Sequence, residues 1–240
     1  MKSKSPLAPK KNKNLNLFEG ISVSSTHCGL KKNKKLDLVL IKLDEPGSIL
    51  GSFTKSKTPG EPIIWNKSII KKKKVSAILI NSGNANVFTG PAGKKAIFDI
   101  IKALSFHLGV PKNEIFLAST GVIGEPLDSE KIIRKIPLLI KSQKNERSAW
   151  TRAADAIRTT DTYAKYHSEI VSSKDSLFIN GIAKGSGMIQ PNMATMLSFI
   201  FTNTDILNKK VELGFKEIIN KTFNSISVDG DTSTSDMVLL

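Results

Sequence analysis

The stretch "VSAILINSGNAN", residues 75–86, decides the fold class. Its first half is apolar and rich in β-branched side chains, as a short buried strand requires. The polar run "NSGNAN" then stops it. "GPAGKKAIFDIIKALSFHLGV" (90–110) follows, with Ala96, Ile97, Ile100, Ile101, Leu104 and Leu108 at helical spacing and Gly109 placed to close the helix. "EIFLASTGVIGEPL" (114–127) repeats the move from an apolar strand into a Gly-rich loop.

Outward from this unit, "LDLVLIKLDE" (36–45) reads as a buried strand ending at an "EPGS" turn, and "SILGSFTKS" as a second strand. Residues 128–142 and 146–157 read as helices, the latter burying Ala149, Trp150, Ala153 and Ile157. Strands are expected within 159–171 and 176–188 around a turn at 172–176, and again in "MLSFIFTNTDI" (196–206). "NKKVELGFKEIINKTF" (208–223) is a helix with Val211, Phe215, Ile218, Ile219 and Phe223 inward. "SISVDGDTSTSDMVLL" (225–240) begins as a strand and passes into a polar turn. Residues 1–17 read as a disordered basic tail. The class is α/β, in the mixed (α+β) sense, with polar Gly, Thr and Asn loops at strand ends.

The 240 residues, 40% hydrophobic, suffice for a substantial core. No apolar run approaches the roughly 20 residues that span a bilayer. The basic N-terminus lacks the apolar centre of a secretory signal. A cytoplasmic location is the default expectation, and the single cysteine, Cys28, agrees with a reducing compartment. The net charge of +15 would suit nucleic acid, but the lysines cluster in short runs such as "KKNKK" (31–35) and "KKKK" (71–74). Two Trp and two Tyr leave little for base stacking, so solvated loops explain the charge more simply.

Several motif readings fail. "GSGMIQ" (185–190) starts like a dinucleotide fingerprint, but Gln190 replaces its third glycine and Pro191 follows. "GPAGKK" (90–95) lacks the spacing of a phosphate loop. His27, His107 and His167 show no metal-ligand spacing, and Cys28 has no motif around it. Four polar loops remain: "NSGNAN" (81–86), "STGVIG" (119–124), "RTTDT" (158–162) and "KGSGMIQPNMATML" (184–197). Any one of them could be only a turn. Four at element ends are what a site assembled from loops on a scaffold looks like.

The last loop sets a lone threonine, Thr195, where polar sequence enters an apolar strand. A threonine hydroxyl is a poor nucleophile unless a base takes its proton. One solution makes it the first residue of a chain, so that its own α-amine, with a pKa of about 7.7–8.0, is that base. This requires a backbone cut just before it, and the small Ala194 leaves room for the hydroxyl to attack the preceding carbonyl.

"KGSGMIQPNMATML" resembles the cleavage-site signature of the ornithine acetyltransferase family, the glutamate N-acetyltransferases of arginine biosynthesis. "NSGNANVFTG", "STGVIGEPL", "TTDT" and "VDGDTSTSDMVLL" resemble that family's other motifs in the same order, from about residue 18 onward. The resemblance implies a layered sheet-and-helix sandwich of the N-terminal-nucleophile-like type. It implies autocleavage between Ala194 and Thr195, with Thr195 as nucleophile and Thr120 and Gly121 as the oxyanion hole. Lys184 and Thr159 would join Thr195 in binding substrate, a cation at Lys184 suiting an α-carboxylate.

The implied reaction carries acetyl from N2-acetylornithine to L-glutamate through an acetyl-Thr195 intermediate, without metal or organic cofactor. Acetyl-CoA is a second donor in some members. Residues 18–194 would form an α chain and 195–240 the start of a β chain, in a heterotetramer of two α and two β chains with neither nucleic acid nor membrane as partner. Members of the family are longer, so a C-terminally truncated chain is expected. Two other readings are an autoprocessed amidase or aminopeptidase using water as acceptor and, from net charge alone, a nucleic-acid-binding module.

Overall fold

The structure is a computed structural model that describes residues 15–17, 19–32, 34–172, 174, 176–190 and 196–240. Among the described residues, nine strands form two sheets. The first contains β1 (Ile21–Thr26), β2 (Leu38–Ser48), β4 (Lys74–Asn84) and β5 (Ile115–Val122) in the order β1-β2-β4-β5. Its β1–β2 and β2–β4 pairs are antiparallel, and β4–β5 is parallel. The second contains β3 (Gly51–Phe53), β6 (Lys165–Ser172), β7 (Leu177–Lys184), β8 (Leu197–Thr202) and β9 (Met237–Leu239) in the order β3-β9-β8-β7-β6. Only β8–β9 is parallel there.

Alternation along β2 and β4 builds two cores from one sheet. Val39, Ile41, Ile78 and Ile80 face the second sheet, where Ile182, Leu197, Phe199 and Met237 meet them. Helix α5 (Arg147–Ala156) adds Ala149, Trp150, Ala153 and Ala154 to that core. Leu38, Leu40, Ala77 and Leu79 face the other way, onto α2 (Gly90–Leu108), α3 (Ser129–Ile133) and α4 (Ile136–Lys141). On the far side of the second sheet, Ile219 of α6 (Lys209–Lys221) packs on Val238. The expected mixed α+β sandwich is therefore layered helix, sheet, sheet, helix. Gly109 ends α2 in the left-handed conformation, with φ of 69°. Among the described residues no helix is long and apolar enough to cross a membrane.

The fold departs from the sequence reading in several places. Leu15 and Asn16, placed in the basic tail, are packed: Leu15 is buried, its carbonyl accepts from Arg147 Nε, and Asn16 donates to Ser168. Residues 1–14 of that tail lie outside the described residues. "EPGS" is not a turn but an irregular stretch of β2, where the register against β4 shifts between Lys42 and Gly47. The helix expected over 128–142 breaks in two because Pro137 has no N–H for a continuous ladder. In α6 only Ile219 is fully buried and Ile218 is exposed. The start of 225–240 is no strand, and its Val228 N–H donates to Ile189 O at 2.8 Å. Helix α1 (Glu61–Ile69), unread in the sequence, covers the open edge of β5: the Asn66 amide both donates to Leu117 O and accepts from Leu117 N–H.

One carboxylate shapes the loop before β2. Asp37, fully buried, accepts four backbone N–H groups, from Cys28 at 2.6 Å, Gly29 at 3.1 Å, Leu30 at 2.8 Å and Lys31 at 2.9 Å. This holds Leu30 O where a Cβ on Gly83 would come within 2.8 Å of it. Asp37→Ala would strand these donors and should cost about 2–4 kcal/mol. Urea unfolding of the variant against the wild type measures the loss, and an unchanged midpoint would contradict it.

Candidate active site

The parallel pair β4–β5 and the antiparallel strand β7 end at one cavity of about 790 Å³. Ligands of open α/β sheets bind outside the carboxyl ends of strands, and this cavity lies at such ends. Its wall includes Gly83, Thr120, Gly121, Thr159, Asp161 and Lys184. Four of the residues singled out in the sequence, Thr120, Gly121, Thr159 and Lys184, are thus brought together from three segments. Ala194 and Thr195 lie outside the described residues. Their flanks border the same region: β7 ends at Lys184 and pairs there with Leu197, the first residue of β8.

"NSGN" belongs to β4 rather than to a loop, because strand pairing continues to Asn84 opposite Val122. Its polar side chains are satisfied inside: Asn81 Nδ2 donates to Asn84 O, and Ser82 Oγ to Ala156 O. Glycine is required at both strand ends, at Gly83 by the Leu30 backbone and at Gly121 by the close approach of β4. Gly121 has φ of 134°, and a Cβ there would sit 2.3 Å from the Gly83 carbonyl carbon.

Lys184 is 2% exposed, and its Nζ donates to Thr120 Oγ1 at 3.2 Å. Burial lowers its pKa below the usual lysine value, and attraction to Asp161 and Asp236 partly offsets this. Asp161 is the brace of the "TTDT" loop. Its carboxylate accepts Gly185 N–H at 2.7 Å and Thr159 N–H at 3.4 Å, and it forms an ion pair with Lys165. Burial works against its charge, but the bonds from Lys165 and Gly185 outweigh that and hold the carboxyl below its ordinary range. Arg158 steadies the loop from outside, donating to Asp161 O at 2.8 Å and Thr162 O at 2.9 Å.

Two further aspartates went unread. Asp236 is fully buried, and its Oδ1 accepts Met196 N–H at 2.8 Å. Its Oδ2 has no hydrogen-bond partner among the described residues. Burial pushes its pKa up to about 8. Asp229 is exposed and accepts Met188 N–H at 2.5 Å and Ile189 N–H at 2.9 Å. Burial, and after it the neighbouring Asp37 carboxylate, push the Cys28 thiol up to about 12, which disfavours a reactive thiolate. Among the described residues no three His, Cys, Asp or Glu side chains gather as metal ligands would.

The model of the ArgJ family matches residues 22–240. The chain belongs to the ArgJ family. The arginine biosynthesis bifunctional protein ArgJ of Bradyrhizobium diazoefficiens is 41% identical over 238 residues, covering 99% of this chain and 57% of the relative. The protein of that name from Rhizobium meliloti is 42% identical over 241 residues, with the same coverage of 99% and 57%. The chain thus spans about 57% of the length of these curated ArgJ relatives. Among solved structures, the ornithine acetyltransferase of Mycobacterium tuberculosis complexed with ornithine has a TM-score of 0.68 and 26% identity, covering 75% of this chain and 93% of that one. The ArgJ protein of Bacillus halodurans has a TM-score of 0.67 and 31% identity, covering 73% and 92%.

Two outcomes follow from this geometry. Gly121→Ala should drive β4 and β5 apart and cost about 3 kcal/mol, read from thermal denaturation, since the clash is with backbone and φ is positive. A variant as stable as the wild type would contradict the close approach. For Asp236, the unfolded chain ionises near 3.8 and the folded chain near 8. Between those values the folded state holds a proton that the unfolded state has released, so stability falls as pH rises through the window. From about pH 5 to about pH 8 the wild type should therefore lose stability relative to Asp236→Asn. Parallel denaturation profiles would contradict this.

Proposed function

We propose that this chain carries the acetyl-transfer site of a glutamate N-acetyltransferase of arginine biosynthesis, moving acetyl from N2-acetylornithine to L-glutamate. The observation that carries the reading is the buried Lys184–Thr120 pair in a cavity at the strand ends. Thr120 Oγ1 accepts from Lys184, so its own proton is left to donate to an oxyanion, and the neighbouring ammonium strengthens that donor. Gly121 keeps the chain beside it free of a side chain, which suits a backbone N–H in the same role. Thr159, fixed by Asp161, and the Lys184 ammonium suit the polar head of an amino acid, whose carboxylate the cation would pair.

Thr195 is the nucleophile of this reading. In the cut, Thr195 Oγ bonds to the Ala194 carbonyl carbon, the C–N bond breaks, and the hydroxyl proton ends on the new amine. Water then splits the ester, leaving Ala194 with a carboxylate and Thr195 with a free α-amine. In transfer that amine takes the hydroxyl proton as Thr195 attacks the acetyl group and returns it to the departing ornithine amine. Glutamate's amine then takes the acetyl from Thr195. Residues 18–194 are the α chain and 195–240 the start of the β chain, working as two of each in the cytoplasm, with acetyl-CoA an alternative donor.

Two comparisons support the reading. The mycobacterial relative is named an ornithine acetyltransferase and holds ornithine. Three quarters of this chain cover 93% of that solved chain, whereas 99% of it covers only 57% of a curated relative. The solved chain is therefore far shorter than the curated polypeptides, as a backbone cut would leave it.

Intact mass should reveal two pieces, the second beginning at Thr195, and Thr195→Ala should stay whole. A Thr195→Ala chain still cut at that bond overturns the nucleophile. In the cut enzyme, Thr120→Ala should lower kcat by about 10²–10³, with transfer strictly dependent on glutamate. Deacetylation without glutamate would instead favour the amidase.

A further inference from the structure

The segment "VDGDTSTSD" (228–236) supplies no group to the transfer steps above, yet it holds both flanks of the proposed cut. On the upstream side Asp229 accepts Met188 N–H through Oδ2 and Ile189 N–H through Oδ1, and Val228 N–H donates to Ile189 O. On the downstream side Asp236 Oδ1 accepts Met196 N–H, while Met196 O accepts Met237 N–H at 3.0 Å. Met196 N is covalently bonded to the Thr195 carbonyl carbon, so the second grip falls one residue beyond the scissile bond.

We propose that residues 228–236 form a two-point clamp that positions the Ala194–Thr195 bond for its own cleavage, Asp229 holding the chain before the bond and Asp236 the chain after it. This rests on the autocleavage reading and deepens it. Attack of a side chain on its own backbone needs the local chain held near the reacting geometry, and fixing the flanks supplies that. Both aspartates are positioning residues, acting through backbone N–H groups. After the cut the two grips differ. Asp236 and Met196 lie in the same fragment, whereas Asp229 spans the two, so it keeps the upstream end seated beside the cavity that it also lines.

The two sites differ in what an asparagine can replace. At 236 one oxygen does the gripping, and an amide oxygen can take its place. At 229 both oxygens accept, and an amide would turn a donor toward one of the two N–H groups. The test is the fraction of the 240-residue chain cut at fixed times after cell-free synthesis, read by intact mass. Asp229→Ala, Asp229→Asn and Asp236→Leu should each slow the cut by about 10-fold or more. Asp236→Asn should stay within about 3-fold of the wild type, since it keeps the acceptor. Uniform behaviour of all four variants beside a cut wild type overturns the clamp alone, as does Asp236→Asn being as slow as Asp236→Leu. An uncut wild type overturns the clamp and the cleavage reading together. Should Asp236→Leu fail to fold, the exposed Asp229 pair decides the matter by itself.

Discussion

A buried ammonium must find partners, and the site is organised around meeting that need for Lys184. Its stem leaves the last residue of β7, in the second sheet, and its head reaches Thr120 on β5, in the first. The contact joins the two sheets at the end where their strands stop. It also puts a cation and a hydroxyl in the same wall. The apolar core behind them, with Ile80, Ala118, Ile182 and Leu197, keeps water from the pair's rear. In so dry a setting the interaction between ammonium and hydroxyl is stronger than in water.

The same region shows how a lysine-rich chain spends its few acids. With 36 Lys and Arg against 21 Asp and Glu, charge balance is no guide to where the carboxylates act. Asp37, Asp161, Asp229 and Asp236 all accept backbone N–H groups from loops that lack ladder partners. Each replaces regular structure with a carboxyl group that fixes the backbone's local shape. The loops fixed by Asp37, Asp161 and Asp229 border the cavity, through Lys31, Thr159 and Met188. Rigid walls built from irregular backbone are what a site needs when its floor is made of strand ends.

Periodicity made the main layers legible: the β4–α2 unit, the β6–β7 hairpin and α5 all follow from residue spacing. Thr120, Gly121, Thr159 and Lys184 were legible as residues of three polar motifs, and they do share one cavity. Helix α1 was not legible, since Pro62, Ile63, Asn66 and Ile69 are buried on a short helix with a weak apolar stripe. Its reason for existing is the edge of β5, a partner remote in sequence. Polar "NSGN" within β4 misled because its side chains bond to distant carbonyls that no local pattern reveals. The bracing aspartates share a faint signal. Asp37 interrupts an apolar run, and the other three sit among Gly, Ser and Thr, in segments whose irregular backbone leaves N–H groups for a carboxyl to accept.

The proposed acetyl-Thr195 intermediate is the centre on which the cavity, the cut and the transfer converge. Its most direct measurement is mass spectrometry of the cut protein after brief exposure to N2-acetylornithine without glutamate. The fragment beginning at Thr195 should gain one acetyl group, localised to that residue, and lose it when glutamate is added. Ornithine release with no acetyl on that fragment, or with the acetyl on a lysine that glutamate does not discharge, would contradict it.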